Sequence, residues 1–95
     1  MPYVSVRHKV KDYATWKSVF DAFSENRKAG GEKAYWILHP IDAPNDLVLF
    51  FEWDTVENAQ TFLNSPQLRE AMGEGGVLED PEVHFLEEVA RGATA

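Results

Sequence analysis

Hydrophobic and polar residues alternate from residue 3 to residue 10. Val4 and Val6 fall on one side of this segment together with His8, whereas Ser5 and Arg7 fall on the other side. Alternation with a period of two is typical of a β-strand that buries one face. We therefore predict a first strand whose buried side carries His8.

The next segment has helical spacing. Asp12 is a favourable N-cap residue, and two glycines at residues 30–31 end the pattern. Between these limits, aromatic side chains recur at intervals of three and four residues, which predicts one helix with an aromatic stripe. The stripe consists of Tyr13, Trp16, Phe20 and Phe23, and Arg27 lies on the same side.

The rest of the chain predicts a strand, a turn, a second strand, a helical region and a last strand. The helical region is expected to restart at Ser65, because the following Pro66 suits the first position of a helix. Glycines after residue 72 end this region. In order, the five segments are residues 33–39, 43–46, 47–53, 54–72 and 82–89.

The order β-α-β-β-α-β is that of the ferredoxin-like α+β unit, a four-stranded antiparallel sheet with both helices on one face. We expect residues 1–90 to form this single domain and residues 91–95 to form a flexible tail. The second and third strands carry apolar residues on both faces, for example Trp36 and Ile37. A second apolar face marks an interface, so we predict a homodimer whose sheets pack into a β-barrel.

Composition limits the classes of function that remain. The chain has 95 residues, which suffice for one domain, and its net charge is −7. This charge disfavours binding to nucleic acid or to an anionic membrane surface. No cysteine is present, which excludes disulfides, thiolate nucleophiles and Cys-ligated metals. Because no secretory or membrane-spanning run is found, we expect a soluble, cytoplasmic protein that binds a small molecule.

Three stretches of the sequence match a known pattern: residues 6–13 with Trp16, residues 50–53 with residues 57–59 and 65–66, and residues 85–89. They resemble the dimeric α/β-barrel superfamily, and within it the antibiotic-biosynthesis-monooxygenase-like proteins. The resemblance implies a cofactor-independent monooxygenase, or a cyclase, for a small apolar or aromatic, polyketide-like substrate. Such chemistry needs no metal or flavin, because a polar group deprotonates the substrate in a dry pocket. A non-catalytic module that binds a small ligand or a partner is the alternative.

The sequence departs from that pattern in the second helical region. Many relatives carry two histidines there, spaced H-x-x-S-x-H, at positions that correspond to Phe62 and Gln67 of this chain. A haem-degrading relative would use a helical histidine as the axial ligand of the iron. The missing histidines therefore argue against a haem-binding function.

His8 is the main catalytic candidate, because an imidazole between sheet and helices can act as a base or an acid near neutral pH. The alternative is a hydrogen-bonded histidine of the core. Tyr13 is predicted to assist His8 through its phenol. Four aromatic residues are expected to line the substrate pocket: Trp16, Phe20, Phe23 and Trp53. Packing in the core is the alternative explanation for their spacing.

His84 is a further candidate for substrate contact, although it shares a side of its strand with Leu86 and so faces the predicted dimer interface. A metal site of His8, His84 and Glu52 is conceivable. Strand parity is expected to separate these residues, however, and we predict no metal.

Two arginines have competing interpretations. Arg27 could bind a carboxylate or phenolate, but its place near the end of a helix favours simple complementarity to the helix dipole. Arg7 lies on the polar side of the first strand. It is predicted to form ion pairs across strands or subunits, with Glu52, Glu87 or Glu88.

Overall fold

The computed structural model describes residues 1–94, which form four strands and four helices. In chain order the elements are β1 Tyr3–Lys9, α1 Tyr13–Ala22, α2 Ser24–Gly30, β2 Glu32–Leu38, β3 Asp46–Trp53, α3 Val56–Leu63, α4 Pro66–Glu74 and β4 Glu82–Leu86. The strands form one antiparallel sheet in the order β2-β3-β1-β4. The predicted ferredoxin-like α+β fold is confirmed, with each helical region divided into two short helices. Within residues 1–94 no helix has the length and hydrophobicity needed to cross a membrane.

Side-chain caps determine where three of the helices begin. Asp12, Thr55 and Ser65 each accept a hydrogen bond from the backbone N–H three residues further along the chain, at 3.0, 3.0 and 3.2 Å. Each such cap contributes about 1 kcal/mol to stability. The predicted restart of the second helical region at Ser65 and Pro66 is confirmed.

The first helical region is not the single helix that the aromatic stripe predicts. Phe23 interrupts it, with backbone angles (φ −92°, ψ 5°) that end α1 and precede α2. Gly31 then ends α2 in the left-handed region, at φ 119°. A Cβ atom at this position would meet the side chains of Asp54 and Trp53. Only glycine therefore allows the tight turn from α2 into β2.

The two faces of the sheet have different surroundings. On the face that packs against the helices, alternate residues of β1 and β3 are buried, and His8 is among them. The outer face carries a set of apolar residues that we call the outer apolar patch: Tyr3, Trp36, Leu38, Val48, Phe50 and Leu86. In a single chain, Trp36 and Leu38 are 47% and 49% exposed. The apolar outer face that the sequence predicts is therefore present.

Two details of the sequence-based interpretation are wrong. β4 ends at Leu86 and not at residue 89, because Leu86 pairs with Tyr3, the first residue of the neighbouring strand β1. Within the single chain, Arg7 pairs with Asp46, at 3.0 Å between Nη2 and Oδ2, and not with a predicted glutamate of the same chain; pairing across subunits stays a prediction. The register explains this pairing, since Arg7 lies opposite Val48, two residues from Asp46 on the same face.

Residues 87–94 form no regular secondary structure. Arg91 nevertheless donates hydrogen bonds to Glu88 at 2.8 Å and to the phenol oxygen of Tyr3 at 3.1 Å. The predicted tail, residues 91–95, includes Ala95, which lies outside the described residues.

Candidate functional site

A cavity of about 510 Å³ lies between the sheet and the helices. Its wall is mainly apolar and is built from β1, β3, β4 and the four helices. The volume falls within the range of about 300–1,000 Å³ that is typical of small-molecule sites. The polar side chains on this wall are His8, Arg27, Gln60 and Asn64.

His8 is buried on the cavity wall, with 6% of its surface exposed. The alternation along β1 places it on the helix side, as predicted, and its ring lies edge-on to Trp16 with 5.8 Å between centroids. Neither Nδ1 nor Nε2 has a hydrogen-bond partner among residues 1–94. The histidine is therefore not the hydrogen-bonded core residue that the sequence left open.

Burial determines the protonation state of His8. Removal of the imidazole from water lowers the pKa of His8 below its ordinary value of 6.5, because the charged form loses its hydration. The ring is thus neutral at neutral pH and offers one N–H donor and one nitrogen acceptor to the cavity. An unsatisfied buried polar group costs about 1–3 kcal/mol. A ligand with a hydroxyl group would supply the missing partner.

The four aromatic residues predicted to line a pocket all contribute to the cavity wall. Trp16 and Phe20 stack with 4.9 Å between ring centroids. Trp53 donates a hydrogen bond from Nε1 to the carbonyl of Gly30 at 2.9 Å, which leaves its ring as an apolar surface. Trp16, Phe20, Phe23 and Trp53 thus surround the space beside His8.

Two predicted site residues lie elsewhere. Tyr13 is half-buried beside Trp16, with 6.0 Å between ring centroids, but it does not line the cavity. His84 pairs with Ser5 on the outer face of the sheet, where its Nε2 lies 3.7 Å from an oxygen of Glu82. The sheet therefore separates His84 from His8.

The sheet also separates the residues of the metal site considered from the sequence, His8, His84 and Glu52. Glu52 and His84 both belong to the outer face, whereas His8 faces the helices. Across residues 1–94, no three His, Cys, Asp or Glu side chains lie close enough together to hold a metal ion.

Arg27 is a site residue whose surroundings the sequence interpretation missed. It is only 4% exposed, and its Nε donates to both carboxylate oxygens of Glu32, at 3.0 and 3.2 Å. Its Nη1 donates to the carbonyl of Phe20, and its Cζ lies 3.6 Å from the centroid of that ring. Arg27 is thus held in a buried ion pair rather than at an exposed helix end. The signal in the sequence was its place on the aromatic stripe, four residues after Phe23.

Glu32 is influenced by two opposing effects. Burial raises the pKa of Glu32 above its ordinary value, whereas the neighbouring guanidinium of Arg27 acts in the opposite direction. The side chains of Arg27 and Glu32 are 5% and 9% exposed, so the pair is shielded from solvent. This shielding makes the pair a neutral but strongly polar group beside the cavity, whose wall Arg27 lines.

Gln60 and Asn64 are the other polar side chains that the sequence interpretation did not single out. They lie four residues apart, on α3 and at its C-cap, and they are exposed at the edge of the cavity. Spacing of i and i+4 places them on one face of the helix. They bring amide groups to the mouth of the cavity, whereas His8 and Arg27 lie inside.

No family model matches the sequence of this chain, and no curated protein matches it. Solved structures do match over nearly its whole length. A candidate antibiotic biosynthesis monooxygenase from Bordetella bronchiseptica has a TM-score of 0.77 and 20% identity, covering 94% of this chain and 98% of that one. SnoaB, a cofactor-independent oxygenase from Streptomyces nogalater, has a TM-score of 0.75 and 18% identity, covering 97% and 94%. Rv0793 from Mycobacterium tuberculosis has a TM-score of 0.68 and 15% identity, covering 98% and 100%.

The solved structures and the sequence motifs indicate the same fold. The matched structures share the four-stranded antiparallel sheet and its helices, and they do so at low sequence identity. The chain therefore has the ferredoxin-like fold of the antibiotic-biosynthesis-monooxygenase-like proteins.

Proposed function

We propose that this protein is a cofactor-independent monooxygenase for an electron-rich aromatic molecule with an acidic hydroxyl or an enolisable carbonyl group. The observation that carries the proposal is the buried, unpartnered imidazole of His8 on the wall of an apolar cavity. The shared fold with SnoaB, a cofactor-independent oxygenase, supports the same class of reaction.

In this proposal His8 is the base. Because burial lowers its pKa, the imidazole is neutral at neutral pH and is able to accept a proton. A ligand hydroxyl directed at the ring provides the hydrogen bond that the protein does not supply. Proton transfer then places a substrate anion beside an imidazolium, and in an apolar cavity these opposite charges stabilise each other more than in water.

Dioxygen is the oxidant, and the substrate supplies all the electrons. At an activated CH₂ carbon two C–H bonds and the O–O bond break, and one oxygen atom becomes a carbonyl oxygen. The other oxygen leaves as water with the two hydrogens of that carbon, so the four electrons of the C–H bonds reduce dioxygen. His8 takes the first proton and returns it to the departing oxygen.

The aromatic residues of the wall bind the substrate and exclude water. Their flat faces suit stacking with fused rings, and a dry cavity protects the substrate anion from water. The residues with this role are Trp16, Phe20, Phe23 and Trp53. Tyr13 and His84 have no direct contact with the ligand in this proposal, because neither lines the cavity.

We propose further that the active form is a homodimer with the outer apolar patch at its interface. The patch leaves Trp36 and Leu38 largely exposed in a single chain. Charges of both signs lie on the same face, where Arg7 is opposite Glu82. A two-fold interface needs a surface complementary to itself, and this mixture of apolar and oppositely charged residues meets that requirement.

The test of the catalytic proposal is oxygen uptake with anthrone, a three-ring ketone with an acidic CH₂ group. We expect the protein to accelerate the formation of anthraquinone, and His8→Phe to lose about 100-fold of that acceleration. His39→Gln changes an exposed histidine and serves as the matched control, with the full rate expected. Binding of anthrone without faster oxidation would refute the enzyme and favour the non-catalytic binding module.

A further inference from the structure

The cavity wall contains a second built polar group besides His8. The side chain of Arg27 lines the cavity although it is almost completely buried. Its Nε–H binds Glu32, and Nη1 binds the carbonyl of Phe20. A guanidinium has five N–H groups, and those of Nη2 find no acceptor among residues 1–94. A ligand oxygen in the cavity is the acceptor that would complete the set.

Glu32 determines which kind of oxygen that is. Its carboxylate already balances the charge of Arg27, with contacts of 3.0 and 3.2 Å. A ligand carboxylate would add a net negative charge to a shielded apolar site and would lie close to Glu32. A neutral carbonyl oxygen accepts the same hydrogen bonds without adding charge.

The imidazole and the guanidinium stand at two ends of one aromatic wall. The ring of His8 lies 5.8 Å from that of Trp16, which in turn lies 4.9 Å from that of Phe20. The Cζ of Arg27 lies 3.6 Å from the centroid of Phe20. Because two aromatic rings lie between the two polar groups, a ligand of two or more fused rings matches their separation.

Building on the proposed function, we propose that Arg27 and Glu32 form a second recognition point, which accepts a neutral carbonyl oxygen of the substrate and selects against a carboxylate. The substrate class is then a fused-ring aromatic with a hydroxyl group at the His8 end and a carbonyl group at the Arg27 end.

The test compares the binding of three two-ring ligands by isothermal titration calorimetry. They are 2-naphthol, 6-acetyl-2-naphthol and 6-hydroxy-2-naphthoic acid, which differ only in the group at the end opposite the hydroxyl. At about pH 8 imidazoles are neutral and carboxylates are ionised. We expect the wild-type protein to bind the acetyl compound about tenfold more tightly than 2-naphthol, and the carboxylate no more tightly than 2-naphthol.

Two variants separate the roles of the pair. Glu32→Gln removes the competing negative charge and keeps the guanidinium, so the carboxylate ligand is expected to become the tightest of the three. The double variant R27M/E32Q removes both groups without leaving an unpaired charge, and all three ligands should then bind like 2-naphthol. The matched control is K17M/D21N, which removes an exposed ion pair of α1 and should behave like the wild-type protein.

The outcomes distinguish this inference from the proposed function. Binding of 2-naphthol without any preference for the acetyl compound would overturn the second recognition point and leave the proposed function intact. An unchanged preference in R27M/E32Q would also overturn it. Failure of all three ligands to bind would overturn both proposals. Should either variant not fold, the order of affinities of the three ligands in the wild-type protein decides the question.

Discussion

Replacing His8 by phenylalanine tests whether the buried imidazole is held for function at a cost to stability. Both side chains are flat rings, and the position faces a cavity that has room for the slightly larger one. The substitution removes two nitrogen atoms that have no partner in residues 1–94. It creates no new polar group and removes no hydrogen bond.

The magnitude follows from the penalty for an unsatisfied buried polar group, which is about 1–3 kcal/mol. We expect His8→Phe to raise the free energy of unfolding by an amount in this range at neutral pH. For a domain of this size, 1 kcal/mol raises Tm by about 4–8 °C. A more stable protein with about 100-fold less oxygenase acceleration is the expected combination.

The difference should grow in acid. Because burial lowers the pKa of native His8, the unfolded chain binds a proton below its ordinary pKa of 6.5 while the native chain does not. The wild-type protein therefore loses stability as pH falls below 6.5, by up to about 1.4 kcal/mol per pH unit. Above this pH both states are neutral at His8, and the histidine adds no pH dependence. His8→Phe lacks this loss.

The assay is urea unfolding followed by tryptophan fluorescence, at one protein concentration, at about pH 7.5 and about pH 5.5. His39→Gln, at an exposed position, should stay within about 0.5 kcal/mol of the wild-type protein. A His8→Phe protein less stable than wild type at both pH values would refute the reasoning, since the imidazole would then make a stabilising contact. A pH-independent difference would show that the pKa of native His8 is not lowered.

Three further substitutions test the fold and the assembly. Arg27→Met leaves the carboxylate of Glu32 buried and unpaired and should lower the free energy of unfolding by about 3–5 kcal/mol in chemical denaturation; unchanged stability would mean that Glu32 is not ionised in the native state. Gly31→Ala should lower the free energy of unfolding by about 1–2 kcal/mol or more, measured by calorimetry. Gly73→Ala, with nothing near its Cβ position, should not destabilise α4. Equal effects of the two substitutions would contradict the need for φ 119° at Gly31. Trp36→Glu is expected to convert a dimer to a monomer in light scattering, and Ile41→Glu, at a 99% exposed loop position, should not; a wild-type monomer at micromolar concentration would refute the dimer.

Local patterns predicted most of the fold because they depend on residues close together in the chain. Alternation in β1 identified the buried side that carries His8. Asp12 and Ser65 indicated where helices begin, through hydrogen bonds to backbone N–H groups only three residues further along the chain. The interruption at Phe23 was not predicted, since the aromatic stripe continues across it and hides the change from α1 to α2. Partner choice across strands also failed, because the partner of Arg7 depends on the register between β1 and β3.

The site was predicted in part. The stripe of Trp16, Phe20 and Phe23 and the inward side of His8 came from spacing, and the same parity argument separated His84 from the cavity side, whereas Trp53 was selected with the help of the family resemblance. The pairing of Arg27 with Glu32 could not be predicted in this way, since the left-handed turn at Gly31 brings the two side chains together. Gln60 and Asn64 carried no signal beyond helical spacing.

The sequence by itself determined the order of the elements, the buried face of the first strand and His8 as the candidate for acid–base chemistry on that face. These properties follow from side-chain periodicity and capping, which act over a few residues. Only the tertiary structure decided that a cavity of about 510 Å³ remains between the layers, that His8 has no partner in residues 1–94 and that Arg27 is neutralised. Those properties depend on how side chains from segments far apart in the sequence fill the space between sheet and helices. A pattern that spans a few residues does not specify which distant side chains meet there.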